Sequence, residues 1–243
     1  MKQLLAVVVA GALTACGSLI ANAQLLNGSL DATYQQEIVP GFFLPKPAGW
    51  VNEGFRSITG AYEDEMSSEP WAGPAPTPDT NPGDFGVFFK PFSGNSSDGP
   101  ATANLFQDTA ATPGLTYILT GWAGAEANYL ATRSLFAIDF LDAGNSVIGS
   151  TELDLVAAGL FVGNGQAFNY KEYTVMATAP ANAVSVRARV SMIGGLSNPL
   201  GGGQAFVVDD FALVSVPEPA SIMLGLMGLL GFLVVRARKG GSR

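Results

Sequence analysis

From Asp84 onward, apolar and polar positions alternate in short runs that recur about every ten to fifteen residues, with turn residues between them. The runs are Phe85 to Phe89, Ala103 to Thr109, Leu115 to Ala123, Ser134 to Leu141, Ser146 to Leu155, Tyr170 to Ala177, Ala183 to Met192 and Ala205 to Val214. Alternation of period two reads as half-buried strands. In Leu115 to Ala123 it puts Tyr117, Leu119, Gly121 and Ala123 on one face and Ile118, Thr120 and Trp122 on the other. Asp142-Ala-Gly-Asn145 between two such runs predicts a hairpin. Between Gln24 and Ser215 no stretch keeps a 3.6-residue period long enough for a major helix, and no internal repeat is visible. Many short strands separated by Gly and Pro predict an all-β sandwich or barrel.

The first part of the domain is less regular. Leu25 to Asp31 combines apolar residues with a turn-prone Asn27-Gly28. Pro40 to Trp50 holds three prolines and three aromatics, so it reads as extended but outside a central strand. Residues 62–84 form a proline-rich, acidic stretch that reads as a long surface loop, because proline lacks a donor and fixes φ.

Both ends of the chain are apolar. Lys2, the run Leu4 to Leu13 and Ala21-Asn22-Ala23 have the order of a secretory signal, which predicts cleavage by signal peptidase after Ala23. Leu13-Thr14-Ala15-Cys16 also fits a lipoprotein box, in which Cys16 would carry lipid. At the other end Pro217-Glu218-Pro219 precedes an apolar run over 220–235 and the basic residues Arg236, Arg238, Lys239 and Arg243. That run is 16 residues, short against the roughly 20 that span a bilayer comfortably, and the basic end resists translocation. A plain membrane anchor is one reading. The three-part order over 216–243 also resembles the PEP-CTERM sorting signal of Gram-negative bacteria that make extracellular polysaccharide. The resemblance implies recognition by an exosortase-type membrane protease, transient anchoring by the helix over 220–235, and delivery to the envelope or the extracellular matrix.

Composition narrows the chemistry by exclusion. The chain has no histidine and one cysteine, Cys16, so triad, His-zinc and thiol chemistry are unavailable to residues 24–215. Those residues carry 7 basic and 19 acidic side chains, a net charge of −12, which repels nucleic acid. Carboxylates remain. Glu63, Asp64, Glu65 and Glu69 cluster in the 62–84 stretch, and a secreted glycoside hydrolase would need two carboxylates of this kind. A proline-rich loop holds such a pair poorly, so a solvated acidic loop is the competing reading.

A second resemblance brackets the core. Asn27-Gly28-Ser29-Leu30-Asp31 is similar to the N-G-x-F-E opening of carbohydrate-binding-module and galactose-binding-like jelly rolls. Phe206-Val-Val-Asp209-Asp210-Phe211-Ala-Leu213 is similar to their closing D-D-V-x-L strand. The resemblance implies a jelly-roll β-sandwich over residues 24–215, with first and last strands adjacent. It further implies a structural calcium near Asp31 with Asp209 or Asp210, although this chain has Leu30 and Asp31 where Phe and Glu are usual. Asp209 and Asp210, adjacent on one strand, should point to opposite faces. Sugar binding uses flat aromatic platforms. Trp71, in the proline run, is the exposed candidate, whereas Trp50 is a platform or a plug at the sandwich edge, and Trp122 reads as core. The expected function is that of a non-catalytic exported protein binding exopolysaccharide, with a secreted glycoside hydrolase or a purely structural matrix protein as alternatives.

Overall fold

The alternating runs form strands. A computed structural model describes residues 24–56, 60–61, 64–70, 84–93 and 99–217. The strands are β1 (Thr33–Val39), β2 (Phe42–Pro47), β3 (Val51–Arg56), β4 (Gly60–Ala61), β5 (Met66–Pro70), β6 (Phe85–Phe89), β7 (Ala101–Ala110), β8 (Leu115–Ala125), β9 (Arg133–Leu141), β10 (Val147–Asp154), β11 (Lys171–Thr178), β12 (Ser185–Gly195) and β13 (Phe206–Pro217). The predicted hairpin joins β9 to β10. Its turn is closed by Asp142, whose Oδ1 accepts the N–H groups of Gly144 and Ser146.

A six-stranded sheet, ordered β10-β9-β12-β7-β3-β4, packs on a five-stranded sheet, ordered β11-β8-β13-β6-β5. Every pairing within them is antiparallel. The path alternates between the sheets from β7 to β9 and again from β10 to β13, giving an all-β jelly-roll sandwich. One face of each sheet supplies the core: Leu105, Phe136, Ile138 and Val190 from the first, Tyr117, Leu119, Phe206, Val208 and Leu213 from the second. Burial of these alternate side chains specifies the register, since a one-residue slip would turn each set to water. The outer face of the six-stranded sheet carries ion pairs instead. Arg187 pairs with Asp108, Arg189 with Asp139 and Glu152, and Arg133 with Glu152 and Asp154.

Three sequence expectations change. The 62–84 stretch is not all loop, because Met66–Pro70 pairs with β6 as an edge strand. Trp50 is 4 % exposed and packs on Phe211 with ring centroids 5.4 Å apart. It plugs the sandwich and offers no face to a ligand. Asp209 and Asp210 do not simply alternate, because the register of β13 shifts between Asp209 and Ala212 and Asp210 takes φ 48°. This bulge returns Phe211 to the core. The signal segment with Ala21 and Ala23, the helix over 220–235, Glu63 and Trp71 lie outside the described residues.

Candidate functional site

The two sequence brackets meet at one place. Asn27 and Leu30 take positive φ, 51° and 62°, in the turn that opens the domain. The Asn27 side chain holds this turn by accepting the Ala32 N–H and donating to the Ala32 and Ala48 carbonyls. Leu30 is thereby buried. The Phe211 N–H donates to the Gly28 carbonyl, and the Trp50 indole N–H donates to the Asn27 carbonyl over 2.9 Å. Asp31 Oδ1 accepts the Phe85 N–H at the start of β6.

The turn and the bulge bring Asp31, Asp84 and Asp210 into electrostatic reach of Asp209. Asp209 is 2 % exposed, and its Oδ1 accepts the Asp210 N–H. Burial, reinforced by Asp210, Asp84 and Asp31, pushes its carboxyl up to about 9 against the partial offset of that hydrogen bond. The Tyr170 phenol is also raised, by burial first and then by Asp209, Asp210 and Asp84. An all-oxygen donor set of this kind suits a hard cation. Among the described residues, however, no group of three His, Cys, Asp or Glu side chains is gathered closely enough to hold a metal by itself. Backbone carbonyls would have to complete a coordination shell.

Beside this corner lies a small aromatic cluster, in which Phe88, Trp122 and Phe168 pack against buried Tyr170, Ala205 and Val207. Trp122 on β8 stands opposite Glu172 of β11 on one side and Asp209 of β13 on the other. Directly opposed residues share a face, so Glu172, Trp122 and Asp209 form a row across the outer face of the five-stranded sheet. Tyr170 stacks on Trp122 with centroids 6.2 Å apart and planes 13° from parallel. The chain reaches this position through Phe168 and Asn169, both at positive φ. It seats on Gly124, where a Cβ would meet the Tyr170 ring at 2.6 Å and the Phe168 carbonyl oxygen at 2.7 Å. Trp122 reads as core from the sequence, but it is half-buried on the outer face. The phase of β8 carries that signal, since Trp122 falls opposite Tyr117 and Leu119.

The loop carboxylates are arranged differently from the expectation of a solvated cluster. Glu65 is fully buried against Arg56, Asp64 also pairs with Arg56, and Glu69 pairs with Lys90. Lys46, likewise fully buried, donates to the Met66 carbonyl over 2.6 Å. Burial, with Asp64 nearby, pushes Glu65 up to about 7. These groups tie β2, β3 and β5 together. A cavity of about 510 Å³ lies on the other sheet, lined by Leu26, Val51, Phe106 and Asp108 among others. Its carboxylate is already engaged by Arg187, whose guanidinium lies 3.8 Å over the Phe106 ring.

β13 ends at Pro217. The residues beyond it complete the tripartite terminus. Residues 215–239 match the PEP-CTERM protein-sorting motif. The PEP-CTERM match contains Pro217, Glu218, Pro219, Arg236, Arg238 and Lys239, and it marks the chain for export behind a C-terminal anchor. No curated protein matches the chain in sequence. Solved structures similar to it include the CBM22-1 xylan-binding domain of Paenibacillus barcinonensis Xyn10C, at 9 % identity and TM-score 0.42, covering 83 % of this chain and 99 % of that one. TmCBM61 in complex with β-1,4-galactotriose is similar at 17 % identity and TM-score 0.40, over 70 % of this chain and 90 % of that one. The enzymatically active domain of bacteriophage CBA120 tailspike protein 4 is similar at 13 % identity and TM-score 0.45, over 70 % of this chain but only 20 % of that one.

Proposed function

We propose that the chain is a non-catalytic exported protein that binds extracellular polysaccharide on the outer face of its five-stranded sheet. The PEP-CTERM motif supports delivery to the envelope or matrix by an exosortase-type protease, and the Ala21-Asn22-Ala23 sequence would let signal peptidase first remove residues 1–23. The observation that carries the binding reading is the outward Glu172–Trp122 pair, with Tyr170 stacked on the indole and Asp209 buried beside it. Trp122 supplies a flat face for the C–H side of a sugar ring, and Glu172 supplies a hydrogen-bond acceptor at its edge. Trp71, flanked by Pro70 and a proline run, is a second platform candidate from sequence alone.

A structural Ca2+ held by Asp31, Asp209 and Asp210 belongs to the same reading. It would neutralise a buried carboxyl that burial and three neighbouring carboxylates otherwise keep protonated. The hydrolase alternative is weakened, because Asp64, Glu65 and Glu69 are engaged in ion pairs that hold strands together. Co-sedimentation of the exported protein with the polysaccharide of the producing cell, with and without calcium, tests the binding. Release of new reducing ends from that polymer would instead support the hydrolase.

A further inference from the structure

We propose that the sandwich itself limits the processing of its sorting signal, because the first residues of the motif are built into the sheet. This rests on the proposed sorting by an exosortase-type protease. The motif match spans 215–239, whereas β13 continues to Pro217. Ser215, Val216 and Pro217 lie opposite Tyr117, Thr116 and Leu115 of β8. The Ser215 side chain is 2 % exposed on the inner face. Its partner strand is pinned at this end. The Ala179 N–H donates to the Leu115 carbonyl over 2.9 Å, and the Tyr117 hydroxyl accepts the Thr112 N–H over 2.8 Å. Pro217 has no N–H, so the ladder stops there. No flexible spacer therefore separates the sheet from Glu218-Pro219.

A protease takes its substrate as an extended chain occupying several positions around the scissile bond. Residues held in a sheet ladder reach such a cleft only after local opening. β13 pairs with β6 only through Phe206–Val208, whereas β8 pairs with it from Phe206 to Pro217 on both sides of the bulge. Among the described strands, Ser215–Pro217 is thus an end segment that pairs with β8 alone, which places it at the low-stability end of the fold. The protease engages the motif each time these residues fray from β8, and the folded sandwich stands directly against the protease while it does so. Processing rate is thereby set by the stability of the β8–β13 end.

Pulse–chase of the full chain, in a host containing the exosortase-type protease, reads this through loss of a C-terminal tag. Two variants accompany the wild type. One carries about six Gly/Ser residues inserted between Val216 and Pro217, which keeps Pro-Glu-Pro intact but moves it off the sheet. The other is Leu115→Gly, which loosens the end of β8 and leaves Tyr117 and Leu119 in the core. Both should be processed roughly three- to tenfold faster than wild type, as expected where fraying of a strand end limits cleavage. Rates equal to wild type in both variants overturn the coupling, and so does slower processing of the insertion. A tag retained on the wild type and on both variants overturns the sorting reading and the coupling with it.

Discussion

The Phe211 backbone N–H donates to the Gly28 carbonyl over 2.7 Å, joining the opening turn of the domain to its last strand. The approach is so close that a Cβ at Gly28 would overlap the Phe211 carbonyl oxygen. Gly28→Ala should therefore force the turn away from the bulge and destabilise the sandwich by about 1–3 kcal/mol. Chemical denaturation of the variant checks this; an unchanged midpoint would show that the turn is not closely seated.

Asp209 gives the pH dependence a sign. Its carboxyl moves from 3.8 when unfolded to about 9 when folded, so between those values the folded chain binds a proton that the unfolded chain has released. Stability from this group is fully present below about pH 4 and declines as pH rises towards about 9. Glu65 adds a fall between 4.5 and about 7. Asp209→Asn stays neutral throughout, so thermal melts of this variant without added cation should lose the Asp209 part of the slope and be more stable than wild type at pH 8.

Cation binding reverses that expectation. With millimolar Ca2+ the ionised Asp209 gains a partner, and the wild-type melting temperature at pH 8 should rise by several degrees, while that of Asp209→Asn should move little. Melts in EDTA and in Ca2+ separate the two. Equal temperatures in both buffers would leave the corner as a protonated, metal-free cluster.

Much of the fold is visible in the alternation of particular residues. Tyr117, Leu119 and Ala123 are buried while Ile118, Thr120 and Trp122 are not, as the phase of β8 implies. Asp142 to Asn145 turns where expected, and the N-G-S-L-D and V-D-D-F-A-L segments meet. Three features needed tertiary structure. The bulge at Asp210 is signalled locally only by two strand-disfavoured aspartates, one of which takes a positive φ, and simple alternation misassigns the residues beyond it. Met66–Pro70 lies within a proline-rich acidic stretch, and the ion pairs of Asp64 and Glu65 with Arg56 and of Glu69 with Lys90 explain how the charges in and beside it are accommodated. Tyr170 reaches Trp122 from a different strand connection, a pairing that spacing along the chain does not reveal.

Trp50 has a structural task that substitutions can separate from ligand binding. Its ring packs on Phe211 and its N–H satisfies the Asn27 carbonyl. Trp50→Phe should cost about 1 kcal/mol for the lost hydrogen bond, plus the packing that the smaller ring cannot replace. Retention on polysaccharide should be unchanged wherever the variant remains folded, and comparing denaturation midpoints with retention at low temperature checks both halves.

Trp122 carries the opposite expectation, since it lies on the outer face between Glu172 and Asp209. The most direct measurement is co-sedimentation of the exported protein with the producing cell's polysaccharide, comparing wild type with Trp122→Ala. Loss of a stacking ring should weaken retention about tenfold or more, equivalent to about 1.4 kcal/mol, with the strand pairing of β8 intact by circular dichroism. Wild type retained and Trp122→Ala released is the predicted result. Equal retention of the two, or no retention of either, would contradict a polysaccharide-binding face at Trp122.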